Sequence, residues 1–255
     1  LDYVYLCFDV NEETLPAAVA GLKTCGIRGF NLTMPNKNKI VELLDELSPE
    51  AQLIGAVNTV LNDNGKLIGY NTDGYGFMQS VRDAGHDITG KNITVMGVGG
   101  ASMAICAQSA LDGAASVHIF ARRTSRYWNR TQKFAENLSA KTGCQVCLFD
   151  NDDHTALRDS IAQSYLLINA TSVGMVPDID DTIIKDTSLF HPELVVADVV
   201  YEPQETRLLR EAKAAGCQTF NGMYMLLHQG AKAFQIWTGQ EMPVSVIKEK
   251  YFSVK

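Results

Sequence analysis

The chain contains no apolar stretch approaching the roughly 18 residues a membrane-spanning helix requires. It shows no secretory signal, and it does not begin with methionine, so residues upstream of Leu1 are expected to be missing from it. Positive charge is in deficit: 22 Lys and Arg stand against 29 Asp and Glu, for a net charge of -7. Nucleic acids and anionic membrane surfaces are gripped by basic patches, so neither is expected as a partner, although a local basic pocket for a small anion is still allowed. Zinc-site spacing is lacking as well. Of the six cysteines only Cys144 and Cys147 form a Cys-x-x-Cys pair, and no second pair or histidine stands at the required distance. On a strand their odd separation would send the two thiols to opposite faces. No metal site is expected, and scattered cysteines in an acidic chain point to a reducing compartment, the cytoplasm. There is no internal repeat and no low-complexity segment.

What is present suffices for a folded enzyme. Hydrophobic residues make up 46% of 255, enough for one large domain or two modest ones. Helical spacing of Leu15, Val19 and Leu22 predicts a helix over 14–25, and a strand over 27–34 would be ended by Pro35. Ile40, Leu43, Leu44 and Leu47 fall on one stripe and predict a helix over 40–47. Strands over 56–61 and 66–70 flank Asn62-Asp63-Asn64-Gly65, whose Asn-Gly is a strong hairpin signal. A helix over 73–84 follows. From Asn92 the chain alternates: strands over 93–96, 116–120, 145–149, 166–169 and 194–198, helices over 102–111, 127–142 and 156–163. Such alternation implies a parallel, doubly wound sheet. The fold class is therefore α/β, with an N-terminal α/β unit, a division near 74–90, a nucleotide-binding unit, and a last helix over 224–238 that returns to the first unit.

Ile93-Thr94-Val95-Met96 leads into Gly97-Val98-Gly99-Gly100-Ala101-Ser102 and an apolar helix. This strand–turn–helix context is the one a dinucleotide fingerprint needs. Gly97 permits the tight turn, Gly99 lets backbone approach a pyrophosphate, and the helix N-terminus offers free N–H groups to that anion. The third glycine of the fingerprint is replaced by Ser102, and an ordinary βα turn is the competing reading. An NAD enzyme usually carries an acid at the end of the next strand. Here the segment is Ala121-Arg122-Arg123-Thr124-Ser125-Arg126, without one. Its arginines suit the 2′-phosphate of NADP, NAD remaining open, while a solvated basic loop is the alternative.

Two polar clusters precede that turn. In the strand ending at Met34, alternation places Asn31 and Thr33 on one face, suited to a polyhydroxy ligand. Lys37 lies just beyond Pro35 and alone would pass for a surface lysine. With Asn64-Gly65 as a two-residue turn, Asn62 pairs with Leu67, Val60 with Gly69, and Asn58 faces Asn71, within reach of Thr72 and Asp73. Asp73 alone could be a helix N-cap. A lysine and an aspartate beside a hydride carrier suit alcohol oxidation, which needs a general base for the hydroxyl proton. A nearby carboxylate would favour the charged lysine, and which group is the formal base is left open.

Six spaced motifs together resemble the shikimate dehydrogenase family. They are Asn31-Leu32-Thr33-Met34-Pro35-Asn36-Lys37, Ile54 to Thr59, Gly69 to Gly74, Gly97 to Ala101, Asn169-Ala170-Thr171-Ser172-Val173-Gly174, and Leu226 to Ala231 running on to Trp237-Thr238-Gly239. Met34-Pro35-Asn36-Lys37 and Arg122-Arg123 look more like the quinate/shikimate dehydrogenase branch. The resemblance implies NAD(P)-linked oxidation of shikimate to 3-dehydroshikimate, and of quinate to 3-dehydroquinate. It implies a substrate domain over 1–73, completed by helices in 224–255, and a Rossmann-type dinucleotide domain over 74–223. Lys37 and Asp73 would be the catalytic pair. Asn31, Thr33, Asn58, Thr72 and Gln229 would bind the substrate, a polyhydroxy cyclic acid, with Tyr5 and Tyr201 lining the pocket; Gln229 could instead be a rim residue. Gly97, Gly99, Gly100, Ala101, Arg122, Arg123, Arg126, Thr171 and Gly222 would hold the cofactor. Homodimer formation is also open. Tyr224 and His228 are expected to be packing or surface residues. The family's Ser-x-Ser segment would lie before Leu1, and without it substrate binding is expected to be severely weakened. Thr124 stands where NAD users of the branch carry an acid, which favours NADP or mixed use. Rival readings are a dehydrogenase of an amino-substituted shikimate and a catalytically silent nucleotide-binding regulator.

Overall fold

The computed structural model describes residues 1–252 and shows two compact units, Leu1–Asn71 and a second beginning at Thr72. In the first, helix α1 (Leu15–Thr24) carries a proline in its first turn and buries Leu15 and Val19. Strands β1 (Gly29–Asn31), β2 (Glu46–Leu47), β3 (Thr59–Asp63) and β4 (Lys66–Tyr70) form one sheet in the order β1-β3-β4-β2. The hairpin register matches the prediction: Asn62 opposes Leu67 and Val60 opposes Gly69. Asn64 (φ 53°) and Gly65 (φ 91°) both adopt the left-handed region that a tight hairpin turn with strand-matching twist demands. The Asn58 N–H, donating to the Tyr70 carbonyl at 3.1 Å, carries the pairing one step further.

Two predicted elements are corrected. The strand expected over 27–34 is only β1. Leu32 still donates to the Asn58 carbonyl (2.9 Å), but Asn36 N–H then closes a turn on the Thr33 carbonyl (3.0 Å). Pro35 has no N–H to give a ladder, so the chain leaves the sheet before it. Thr33 therefore does not share a strand face with Asn31. The helix expected over 40–47 is instead helix α2 (Asn36–Lys39), a 3-10 turn (Ile40–Leu43), an extended Leu44 and β2. Asp45 N–H bonds the Leu67 carbonyl (3.0 Å) while its carboxylate accepts the Leu67 N–H (2.7 Å). Pairing with β4 thus outweighs the helical stripe, whose Ile40 is still buried. Helix α3 (Pro49–Ile54) is capped by the Ser48 hydroxyl, which accepts from Ala51 N–H at 3.2 Å.

The second unit opens with helix α4 (Asp73–Asp83), and then β5 (Asn92–Met96), α5 (Gly100–Leu111), β6 (Ser116–Ala121), α6 (Trp128–Thr142), β7 (Gln145–Asp150), α7 (His154–Gln163), β8 (Leu166–Asn169) and β9 (Val195–Asp198) alternate as predicted. Helix α8 (Arg207–Ala214) and strand β10 (Gln218–Phe220) were not foreseen, nor was the short helix α10 (Val244–Ile247) after the long α9 (Met223–Thr238). All six strands are parallel, in the order β10-β9-β8-β5-β6-β7. Order reverses at β5, between β8 and β6, and in such sheets ligands bind beyond the carboxyl ends of the strands at that switch. Helix α9 packs along α4. A Cβ at Gly76 would lie 2.7 Å from both Gln229 N and Met225 O, so glycine sets how closely the two helices approach.

Candidate functional site

In the first unit Asn31 organises a polar cluster. Its amide donates to the Asn58 carbonyl (3.1 Å) and the Thr59 hydroxyl (3.0 Å), and its oxygen accepts from Tyr5 (2.8 Å). Thr59 in turn donates to the Asn58 side-chain oxygen at 3.0 Å. Three predicted substrate residues, Tyr5, Asn31 and Asn58, are thus hydrogen-bonded together, and Tyr5 and Asn31 keep solvent-accessible surface. Thr33 is exposed in the turn outside this cluster. Lys37 is half-buried in α2, and its carbonyl accepts from Val57 N–H at 2.8 Å.

In the second unit Thr72 and Asp73 are both buried at the start of α4. Thr72, not Asp73, is the N-cap; Asp73 is the first helical residue, where a carboxylate meets the positive end of the helix dipole. Gln229 lies on α9, its amide donating to the Leu226 carbonyl (3.1 Å), and Tyr201 is exposed past β9. His228 is a packing residue, buried and bonded through Nε2 to Asp83 at 2.9 Å. The Lys248 ammonium lies 3.8 Å from the Tyr224 ring centroid.

The turn from β5 into α5 has the form a pyrophosphate requires. Gly97 has φ 111°, and a Cβ there would stand 2.8 Å from Thr171 Cγ2 and 3.0 Å from the Ala170 carbonyl. Gly99 is the extended N-cap, and nothing lies within 4 Å of a Cβ at Gly99 or Gly100. This open ground fronts the first N–H groups of a 12-residue helix, next to Ala101, and it fits a dinucleotide's phosphates. Ser102 is fully buried where the fingerprint would have its third glycine, and its hydroxyl donates to the Gly97 carbonyl at 2.5 Å. The hydroxyl thereby pins the turn from inside.

Past β6, Arg122, Arg123 and Arg126 are exposed. Arg123 sits over the Trp128 ring at 4.7 Å, and Arg126 over Tyr127 at 4.7 Å while donating to its hydroxyl at 2.6 Å. Aromatic faces thus hold two of the three guanidiniums. Gly222 is also required: a Cβ there would fall 2.0 Å from the Val199 carbonyl, and its N–H bonds the Val200 carbonyl at 3.2 Å.

A buried network at the ends of β8 and β9 escaped the sequence reading. The Asn169 amide donates to Asp198 Oδ1 (3.0 Å) and the Val173 carbonyl (3.1 Å). Its oxygen accepts from the Thr171 hydroxyl (2.6 Å) and N–H (3.1 Å). Asp198 also accepts from Val200 N–H (3.0 Å) and the Thr206 hydroxyl (2.8 Å). Burial pushes its carboxyl above the usual carboxylate range, against these hydrogen bonds, which favour the charged form. The available signal was two strands each ending in a polar residue, Asn169 and Asp198.

Residues 1–60 match the model of the shikimate dehydrogenase substrate binding domain, and residues 222–250 that of the shikimate 5′-dehydrogenase C-terminal domain. Shikimate dehydrogenase (NADP(+)) of Listeria innocua is 51% identical over 252 residues, 99% of this chain and 86% of that protein. The chain belongs to the shikimate dehydrogenase family. Membership makes it an oxidoreductase. Quinate/shikimate dehydrogenase of Escherichia coli is 42% identical, covering 98% of this chain and 86% of that protein. Shikimate 5-dehydrogenase of Listeria monocytogenes, solved in complex with shikimate and NAD, superposes with a TM-score of 0.94 at 50% identity, over 97% of this chain and 86% of that one. Among the described residues no helix is long and apolar enough to cross a membrane, and no group of three or more His, Cys, Asp or Glu is placed to hold a metal.

Proposed function

We propose that the chain oxidises shikimate reversibly to 3-dehydroshikimate, and quinate to 3-dehydroquinate, with NADP or NAD. The observation that carries this reading is the open glycine turn of residues 97–102, in a chain 50% identical to a protein solved with shikimate and NAD. The bound dinucleotide supplies the hydride acceptor. Lys37 and Asp73 handle the hydroxyl proton. Asn31, Asn58, Thr33, Thr72 and Gln229 hold the substrate's hydroxyls, and Tyr5 and Tyr201 border it. Gly97, Gly99, Gly100 and Ala101 cradle the pyrophosphate, Thr171 lines the same end of the sheet, and the Gly222 backbone meets the nicotinamide amide. On this reading residues 1–73 with the helices of 224–255 are the substrate domain, and 74–223 the dinucleotide domain. The cytoplasm is the proposed location, in keeping with six free cysteines. A second copy of the chain is the proposed assembly partner.

NADP is favoured because β6 ends in arginines and no acid, and Arg suits a 2′-phosphate. Steady-state rates for shikimate or quinate with NADP or NAD, measured on the full-length protein, test the function directly. Shikimate with NADP is expected to be the fastest of the four pairings, and no rate with any pairing would end the proposal. Arg122→Ala and Arg126→Ala should each weaken NADP more than NAD. Equal weakening would mean that they do not read the 2′-phosphate.

A further inference from the structure

Asp198 is fully buried, and each of its hydrogen-bond partners in the network above is neutral: an amide, a hydroxyl and a backbone N–H. A buried charge carries a desolvation penalty that an apolar pair of similar volume would avoid. What the carboxylate does there is accept from three separate places: Asn169 at the end of β8, Val200 just past β9, and Thr206 at the cap of α8. A carboxylate is acceptor-only, so it serves all three donors without presenting a competing N–H.

The next links run toward the glycine turn. Asn169 and Asp198 are register partners on adjacent parallel strands. Asn169 holds Thr171 by both its N–H and its hydroxyl, and Thr171 in turn supports Val173 N–H at 3.1 Å. The methyl of Thr171 is what a Cβ on Gly97 would strike. On the other side, Asp198 fixes Val200, whose carbonyl receives the Gly222 N–H. One buried pair therefore ties Gly97, Thr171, Val200 and Gly222 into a single frame at the carboxyl ends of β5, β8 and β9, where a doubly wound sheet binds its ligand.

We infer that Asn169 and Asp198, with Thr206, are positioning residues that hold the Thr171 and Val200 backbones at the spacing the dinucleotide needs. They touch no reacting atom. The inference rests on the dinucleotide reading given above. It predicts that loosening the frame weakens cofactor binding more than substrate binding, an outer-layer effect passed through the residues in contact.

The test is titration of NADP into the purified full-length protein, followed by quenching of its tryptophan fluorescence, with shikimate KM and thermal midpoint measured on the same samples. Asn169→Ala and Thr206→Val should each raise the NADP Kd about tenfold, the scale of one hydrogen bond to a buried charge, with shikimate KM nearly unchanged. Thr206→Ser keeps the hydroxyl and should bind as the wild type does. Ser48→Ala removes the cap of α3 in the first unit and should lower the midpoint while leaving the Kd alone. If Asn169→Ala does not fold, the contrast of Thr206→Val with Thr206→Ser carries the test. Unchanged Kd in a folded Thr206→Val, with a lowered midpoint, would overturn the inference and leave the network a purely structural one. Failure of the wild-type chain to bind either dinucleotide would instead overturn the functional reading beneath it.

Discussion

Each unit carries an asparagine-centred network, and the two are built differently. Around Asn31 in the first unit the partners are neutral, and Tyr5 remains 67% exposed. Around Asn169 in the second unit the partners include a carboxylate, and both Asn169 and Asp198 are at most 1% exposed. Water reaches the Tyr5–Asn31 edge of the first network, whose Asn58 and Thr59 are buried, and has little access to the second. The open network is therefore suited to exchanging partners with a polyhydroxy ligand. The closed one is suited to fixing the backbone around it.

The contrast is sharpest in stability. Asp198→Ala would leave three donors without their acceptor, each worth about 1–3 kcal/mol when buried and unsatisfied, so a loss of about 3 kcal/mol or more is expected in urea unfolding. Asn31→Ala also removes three hydrogen bonds, but at the water-facing edge each is worth only about 0.5–1.5 kcal/mol net, so a smaller loss than that of Asp198→Ala is expected. Equal losses would remove the distinction between the two networks. A smaller effect concerns pH. Because burial raises the Asp198 carboxyl above its ordinary 3.8, the folded chain holds that proton more tightly than the unfolded chain does. The contribution of Asp198 is then fully present below 3.8 and declines as pH rises through the raised value. The urea midpoint of the wild type relative to Asp198→Asn should fall across that window, and a difference that grows with pH would contradict the assignment.

The hairpin was legible because two residues decide it: Asn64 and Gly65 take left-handed φ, and the register of β3 on β4 follows. The alternating elements of the second unit were legible for a similar reason, since each strand and helix carries its own period. The segment 40–47 was not, because its apolar stripe fits a helix while its fate is set by Leu67, reached only after the hairpin folds back. The strand before Pro35 was read too long because alternation continues in sequence after the backbone has turned. Of the candidate site, the glycine turn and the arginines could be read locally. The Asn169–Asp198 pair could not: its members are 29 residues apart in sequence and meet only because β8 and β9 are neighbours in a sheet whose strand order a sequence does not display.

The central claim is that this chain moves a hydride from shikimate with Lys37 handling the proton. The most direct measurement is shikimate-dependent formation of reduced nicotinamide by the full-length wild type beside Lys37→Ala. The account predicts turnover in the wild type and a kcat lower by about 10²–10⁴ in the variant, with KM little changed because the group acts mainly in the transition state. A variant with raised KM and undiminished kcat would contradict it.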